Sequence, residues 1–429
     1  MIEQIKELLK ANKKVHDYKI IERKKHSVEL FYVTDKLETN RATDTLEYEV
    51  TVYHDFEEYK GHSNFFVTLN STIEDIQKKI EEACERCLFV KNKYYELPGL
   101  KDESPVEIPS PISLHSFEEV ACKCADAVFK ANVYQDGWIN SCEFFVTETK
   151  TRIINSKGID LSSAHANIFI ELIPTWKGEH EEVELYQNIQ TSVIDYDAIT
   201  KKVEETMLNA KARANAKKLP KDLKTCNVIL STEEISMLMN YFADQLEYTR
   251  SYMHMNLLNV GDVITSGEKG DKIDITLKPY VDGASKASSF DEDGVVLKPC
   301  HIIENGVCQK LHGSSRAGYY LGEKNPTGSF TNMEVQPGSL SFDEMKQKPY
   351  LYCVYFSSPQ LDEYSGYYGG EVRLGFYFDG TEVYPVSGFS ISGNLHEDKS
   401  KFRLSKEIET DRGYRGPKYM LIPNMTINS

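Results

Sequence analysis

Apolar residues in the first stretch of the chain fall on one helical face. Ile2, Ile5, Leu8 and Leu9 lie there, with charged residues between them. That spacing predicts an amphipathic helix over residues 1–14. Residues 27–34 and 46–53 are rich in β-branched and aromatic side chains and read as strands. Ile73, Ile76, Ile80 and Ala83 recur at helical spacing and predict a helix over 72–91, and residues 116–131 predict another. Between those helices, residues 97–112 hold four prolines and read as a long loop. Residues 142–154 and 159–173 form a predicted hairpin around Asn155-Ser156-Lys157-Gly158, where Gly158 can take a positive φ without a Cβ clash. A long helix over 197–217 turns Ile199, Val203, Met207, Ala210 and Ala214 inward.

Leu219-Pro220-Lys221-Asp222 ends that helix and marks the expected boundary between two domains, 1–220 and 221–429. A strand over 226–230 leads into a helix starting at Ser231, where Ser231-Thr232-Glu233-Glu234 reads as a capping box. From Asp262 onward the chain is dense in strands, glycine and tyrosine. Asn305-Gly306 and Asp379-Gly380 are two-residue hairpin signals. The expected class is α+β: a mixed α/β N-terminal domain followed by a β-rich, mainly antiparallel C-terminal domain. A length of 429 residues fits two cores better than one.

Hydrophobic residues at 40% and charged residues at 27% are the balance of a water-soluble globular chain. A formal net charge of -16 argues against a nucleic-acid partner, because phosphate binding needs a local excess of Lys and Arg. The most basic run, residues 211–224, reads as a solvated helix face and its exit. No apolar run approaches the length of a membrane span and no signal-peptide pattern is present, so a cytoplasmic location is expected. Nine cysteines, an odd and scattered set, read as reduced thiols.

Several constellations invite a chemical reading. Cys84 with Cys87 and Cys122 with Cys124 lie on predicted helices without turn glycines, and read as small core residues rather than zinc ligands. With Asn305-Gly306 as the turn, Ile303 faces Cys308 and His301 faces Lys310. His301, Cys308 and His312 then share one face of the hairpin, as a three-ligand metal surface or as ordinary sheet positions. The latter is the preferred reading. Asp291-Glu292-Asp293-Gly294 lacks the further ligands of a calcium loop and reads as a turn. There is no Gly-Lys-Ser/Thr phosphate loop. Gly388-Phe389-Ser390-Ile391-Ser392 misses the last glycine of a nucleophile elbow. His180-Glu181 and His396-Glu397 are not followed by a second histidine at metal-binding spacing.

The order of the short motifs is more telling than any one of them. Asn155-Ser156-Lys157-Gly158 is followed by Asp291-Glu292-Asp293-Gly294, Asn305-Gly306, Ser315-Arg316-Ala317-Gly318 and Ile391-Ser392-Gly393-Asn394-Leu395. Over residues 140–429 this order resembles the TldD/PmbA family of peptidase-associated proteins. One branch of that family carries a metal-binding His-Glu-x-x-x-His helix, and the TldE/PmbA-like branch lacks it. The helix from Ser231 places Asn240, Tyr241 and Gln245 at the matching positions, and none of the three is a histidine or a carboxylate. The catalytic branch also uses a cysteine near its C-terminus. Here the terminal segment reads Asp411-Arg412-Gly413-Tyr414-Arg415-Gly416.

The resemblance implies a non-catalytic subunit without a metal of its own, partnered by a TldD-type His-Glu-x-x-x-His metallopeptidase. It implies a role in binding and trimming unfolded or leader peptides. The alternative is a stand-alone homodimeric peptide-binding protein. An extended peptide is expected to add as a strand along residues 364–378, with Tyr368, Gly369 and Gly370 as contacts.

Overall fold

The strands sort into three sheets, one built before residue 192 and two built after residue 224. The computed structural model describes every residue except His180, Gln347 and Ser429. The His180-Glu181 pair therefore lies partly outside the described residues.

The first half runs α1 (Ile2–Ala11), β1 (Asp17–Val33), β2 (Lys36–Asp55), β3 (Tyr59–Thr68), α2 (Ile73–Cys87) and β4 (Asn92–Lys93). It continues with α3 (Phe117–Lys130), β5 (Gly137–Asn155), β6 (Asp160–Lys177), β7 (Glu182–Glu184), β8 (Gln187–Thr191) and α4 (Tyr196–Ala214). Its sheet has the order β4-β3-β2-β1-β5-β6-β7, with β8 also on β6, and every pairing is antiparallel. β2 outruns the apolar pattern because the mostly polar residues 36–45 continue its ladder to β1, and β1 runs back to Asp17 opposite the apolar part of β2. Thr72 closes a capping box with Asp75 at the start of α2, and Ser116 caps α3. Ile20, Val50 and Val67 meet α1 and α2, and Val28, Phe144 and Ile168 meet α3 and α4. All four helices thus cover one face of the sheet. Cys84, Cys87 and Cys124 are buried in these two cores, and burial pushes the Cys87 and Cys124 thiols up to about 12.

The second half runs β9 (Thr225–Ser231), α5 (Thr232–Gln245), α6 (Tyr248–Tyr252), β10 (Ile275–Lys278), β11 (Cys300–Glu304), β12 (Val307–Cys308), α7 (Ser315–Leu321) and β13 (Asn332–Val335). Then come β14 (Tyr350–Phe356), β15 (Gln360–Leu361), β16 (Tyr367–Phe378), β17 (Val383–Val386) and β18 (Phe389–Asn394). β19 (Arg403–Leu404), β20 (Ile408–Asp411), β21 (Tyr414–Pro417) and β22 (Tyr419–Asn428) complete it. One sheet has the order β12-β11-β10-β13-β21-β20. The other has the order β14-β9-β22-β18-β16-β15, and β14 also pairs with β16, so five strands close into a ring. Two pairings are parallel, β13 with β21 and β9 with β14. The class is α+β with a β-rich second half. Ile235, Leu238, Met239 and Phe242 of α5 share one core with both sheets.

Asn305-Gly306 is the expected two-residue turn: Glu304 pairs with Val307, and φ is 52° at Asn305 and 77° at Gly306. Asp379-Gly380 departs from expectation. Phe378 pairs with Val383, so residues 379–382 form a longer loop, held by Asp379 Oδ1 accepting from the Thr381 and Glu382 amides.

The motif segments meet at the seam between the halves. Asn155 Nδ2 donates to Pro98 O at 2.8 Å, and its Oδ1 accepts from the amides of Lys157 and Ile159. Asp291 accepts from the amides of Asp293, Val295 and Ser329, which locks its turn, with Gly294 at φ 85°. Phe290 then packs on Ile21, Ile153 and Ile159. Asp293 receives Lys19 Nζ at 3.1 Å and Ser315 Oγ at 2.7 Å. Segments read from sequence as isolated turns thus help to join the two halves, alongside bonds such as Tyr355 Oη to Gln187 Oε1.

Candidate functional site

α5 leads out of β9, and its first turn differs from the expected capping box. Ser231 makes no side-chain cap. Its Oγ instead donates to the Glu234 carboxylate at 2.8 Å. Glu234 is 4% exposed, and burial pushes its carboxyl up to about 7. Hydrogen bonds from the Ser231 hydroxyl and from the Ser231 and Glu234 main chain act against that rise without cancelling it.

The three positions matched to metal ligands diverge. Asn240 is exposed, and its Nδ2 donates to Ser236 O one turn back at 2.9 Å. Tyr241 is buried with its ring 6.2 Å from that of His396, and its hydroxyl has no partner among the described residues. Gln245 is buried, and its Oε1 accepts from the Leu257 amide at 2.7 Å. As a donor set for a divalent metal these residues do not fit. One bonds back to a carbonyl of its own helix, one is a phenol beneath the helix, and one is committed to the backbone of a following loop.

His301, Cys308 and His312 are also separated. β12 ends at Cys308, so the strand does not carry on to His312. His301 is exposed and its Nδ1 pairs with Thr276 Oγ1 at 2.9 Å. His312 turns under α5 and places Nε2 at 2.9 Å from Ala243 O. Cys308 is buried opposite Ile303. The Gln309 amide bonds Ile302 O, which carries the register of Ile303 and Cys308 one step further toward His301 and Lys310. Among the described residues no three of His, Cys, Asp or Glu are grouped as metal ligands.

The expected peptide contact at Tyr368, Gly369 and Gly370 is corrected as well. β16 has no free edge there. β18 pairs along Tyr367 to Val372 on one side, and Gly369 pairs with Gln360 of β15 on the other. Tyr368 is buried with its hydroxyl on Asp398, and a Cβ at Gly369 would lie 2.3 Å from Ile391 O. The glycines serve close strand packing. Gly393 is of the same kind, because a Cβ there would meet Asp398 and Tyr368. Asn394 caps the short helical turn after β18.

What α5 does border is a cavity of about 270 Å³. Ser236, Asn240 and Asp244 line it from the helix, and the β20–β21 turn lines it from the other side. Residues four apart on a helix share a face, so Asn240 and Asp244 were a readable pair. Sequence reasoning missed Asp244 because it followed the spacing of the metal motif. In the turn, Asp411 pairs with Tyr414 across Arg412 and Gly413, and Arg412 takes φ 53°. Arg412 reaches Glu233 at 3.6 Å and Asp411 at 3.9 Å. The segment matched to the catalytic branch's terminal cysteine thus does face α5, but with an arginine. Asp244 is an exposed residue on the cavity lining, and the partial loss of water beside the protein raises its carboxyl to about 6.

Residues 223–429 match the PmbA/TldA metallopeptidase C-terminal domain, the half that contains α5 and this cavity. The second half of the chain is therefore a PmbA/TldD-type C-terminal domain. It is 30% identical over 189 residues to a metalloprotease of Methanothermobacter thermautotrophicus, covering 39% of this chain and 41% of that one. It is 26% identical over 147 residues to a metalloprotease of Archaeoglobus fulgidus, covering 31% and 35%. The matched segment spans less than half the length of these curated relatives. The fold matches TldE from Thermococcus kodakarensis with a TM-score of 0.83, at 14% identity, over 99% of this chain and all of that one. It also matches a candidate modulator of DNA gyrase from Thermotoga maritima, with a TM-score of 0.81 at 16% identity over the full length of both. These likenesses carry the TldD/PmbA fold. No helix among the described residues is long and apolar enough to cross a membrane.

Proposed function

We propose that this chain is a non-catalytic, TldE/PmbA-like subunit that binds unfolded or leader peptides for a TldD-type metallopeptidase. The observation that supports this reading is the divergence of Asn240, Tyr241 and Gln245 on the helix where metal ligands would have to converge. In the pair so envisaged, the metal and its activated water belong to the partner, and this chain contributes peptide binding.

Native mass spectrometry of the protein, gently purified from its own host, tests the reading. A complex with a second chain of similar size that brings one metal ion is the expected result. Stoichiometric metal on this chain alone would overturn it. A metal-free homodimer that still binds peptide would replace it with the stand-alone reading.

A further inference from the structure

The helices cover one face of the first sheet. Leu30, Phe144 and Ile168 go into the core beneath α3 and α4, so their neighbours Phe31, Phe145 and Phe169 stand on the opposite face. Their rings form a row across β1, β5 and β6, with 5.7 Å between Phe31 and Phe145 and 5.7 Å between Phe145 and Phe169. All three are partly exposed, and none is part of a hydrophobic core. Gln190, opposite Phe169 on β8, accepts from Ser285 Oγ at 3.1 Å, and the next residue, Lys286, lines the cavity beside α5. The aromatic row therefore adjoins that cavity.

Each of the three strands also places a glutamate two residues from its phenylalanine and on the same face: Glu29, Glu143 and Glu171. On β1 the pair is filled. The Arg41 guanidinium lies 5.2 Å from the centre of the Phe31 ring, and its Nε donates to the buried Glu29 carboxylate. On β5 and β6 the pairs lack a cation. Glu143 faces Glu171 directly across the ladder, an arrangement that like charges disfavour. The Glu171 carboxylate accepts from the Tyr186 hydroxyl at 2.8 Å and has no ion pair among the described residues. Glu143 has neither a hydrogen bond nor an ion pair among them. Burial raises its carboxyl and Glu171 adds to the rise, while Arg41, the cation acting on it, is already held by Glu29.

A guanidinium laid between Glu143 and Glu171, against Phe145 and Phe169, would repeat on β5 and β6 what Arg41 does on β1. Its plane stacks on a ring while its N–H groups reach two carboxylates. A calcium ion takes roughly six to eight oxygen ligands, and this face offers it two carboxylates flanked by hydrocarbon. We propose that this face is a docking surface for an arginine side chain of an extended peptide, held by Glu143 and Glu171 and packed on Phe145 and Phe169. The proposal rests on the peptide-binding reading above and gives it a sequence preference.

The test uses the full chain alone, so it does not depend on whether a metallopeptidase partner exists. Two peptides are titrated calorimetrically: acetyl-Ala-Arg-Ala-Arg-Ala-amide, and the same peptide with citrulline, which keeps the shape of arginine without its charge. Saturable binding of the arginine peptide, about tenfold tighter than that of the citrulline one, is expected. Glu143→Gln should weaken the arginine peptide about tenfold and leave the citrulline peptide unchanged. Phe169→Leu, which keeps apolar bulk but removes the ring, should also weaken the arginine peptide, and it serves if Glu143→Gln fails to fold. A chain of formal net charge -16 attracts cations generally, so Glu74→Gln on α2 is the control and should bind as the wild type does. No binding of the arginine peptide, unchanged affinity in the folded variant tested, or equal weakening in Glu74→Gln would overturn the proposal. Equal binding of both peptides would overturn it and leave the peptide-binding reading in place. A homodimer that Glu143→Gln dissociates would give the face to a second copy of the chain and overturn it too. Absence of a partner complex combined with selective arginine binding would sink the subunit reading and leave the docking surface standing.

Discussion

Ser231 donates its hydroxyl to Glu234 at 2.8 Å, side chain to side chain, at the start of α5. The sequence motif of a capping box is present, but the Ser231 hydroxyl is turned to the buried Glu234 carboxyl and does not cap the helix amides. A buried carboxyl with a raised pKa prefers its proton in the folded state. Its contribution to stability is therefore full below the unfolded value and is lost as pH rises through about 7. Glu234→Gln should stabilise the protein at pH 8 by up to about 3 kcal/mol and change little at pH 4.5. Urea unfolding at the two pH values checks this. An equal change at both would refute the buried-carboxyl account.

Lys60 is fully buried, with Asp17 at 3.1 Å and Asp55 at 2.5 Å, and the rings of Tyr53, Tyr94 and Tyr95 stand around its ammonium. Asp17 also accepts from Ser156 and pairs with Lys157, which ties the β5–β6 turn to β1. Removing one member of a buried ion cluster leaves the rest uncompensated. Lys60→Met should cost about 3–5 kcal/mol, and adding Asp17→Asn should recover part of it. Burial acts to raise the Asp17 carboxyl, but hydrogen bonds from Ser156, Lys157 and Lys60 outweigh it and hold the pKa below its ordinary value. Its contribution is present above the unfolded pKa near 4 and lost as pH falls through the folded one. Denaturant titrations between pH 2 and pH 7 should show that loss in the wild type and much less of it in Asp17→Asn.

Gly306 and Gly322 both have positive φ, 77° and 80°, yet they should respond differently. A Cβ at Gly306 would sit 2.1 Å from Thr265 O, whereas at Gly322 nothing lies within 4 Å. Gly322→Ala should cost about 1 kcal/mol from backbone strain alone. Gly306→Ala should cost clearly more, because the Thr265 backbone must move as well. Thermal melts of the two variants, compared directly, decide it. Equal losses would mean that the β11–β12 turn yields freely.

Local periodicity was enough to reveal α1 through α4 and the β5–β6 hairpin, since each has its own apolar stripe or turn glycine. It was not enough for the outer part of β2, where residues 36–45 are polar and are held only by their ladder to β1. The joining of the halves through Asp293, Lys19 and Ser315 spans more than 270 positions and leaves no local mark. In the candidate site, the motif spacing drew attention to Asn240, Tyr241 and Gln245. The burial of His312 and Asn332 beside the cavity emerges only when distant segments are folded together. His312 was weighed with Cys308 because both sit near one hairpin. The bond to Ala243 that fixes its ring comes from α5, 69 residues earlier.

Restoring the metal motif should fail. In Asn240→His/Tyr241→Glu/Gln245→His, the first histidine would stand in solvent, since Asn240 is exposed. The new glutamate would replace a phenol that is 4% exposed and would carry an unpaired charge into the core. The second histidine would displace the side chain that accepts the Leu257 amide, leaving that donor without its bond. The opposing turn offers Arg412 rather than a thiolate. The triple variant should lose more than about 3 kcal/mol of stability, mostly through Tyr241→Glu. It should retain no stoichiometric zinc after dialysis, whereas Asn240→His alone should be nearly neutral. Elemental analysis with denaturant melts of the single and triple variants checks both statements. Tight zinc binding at unchanged stability would show that the three positions converge after all, and would return a metal site to this chain.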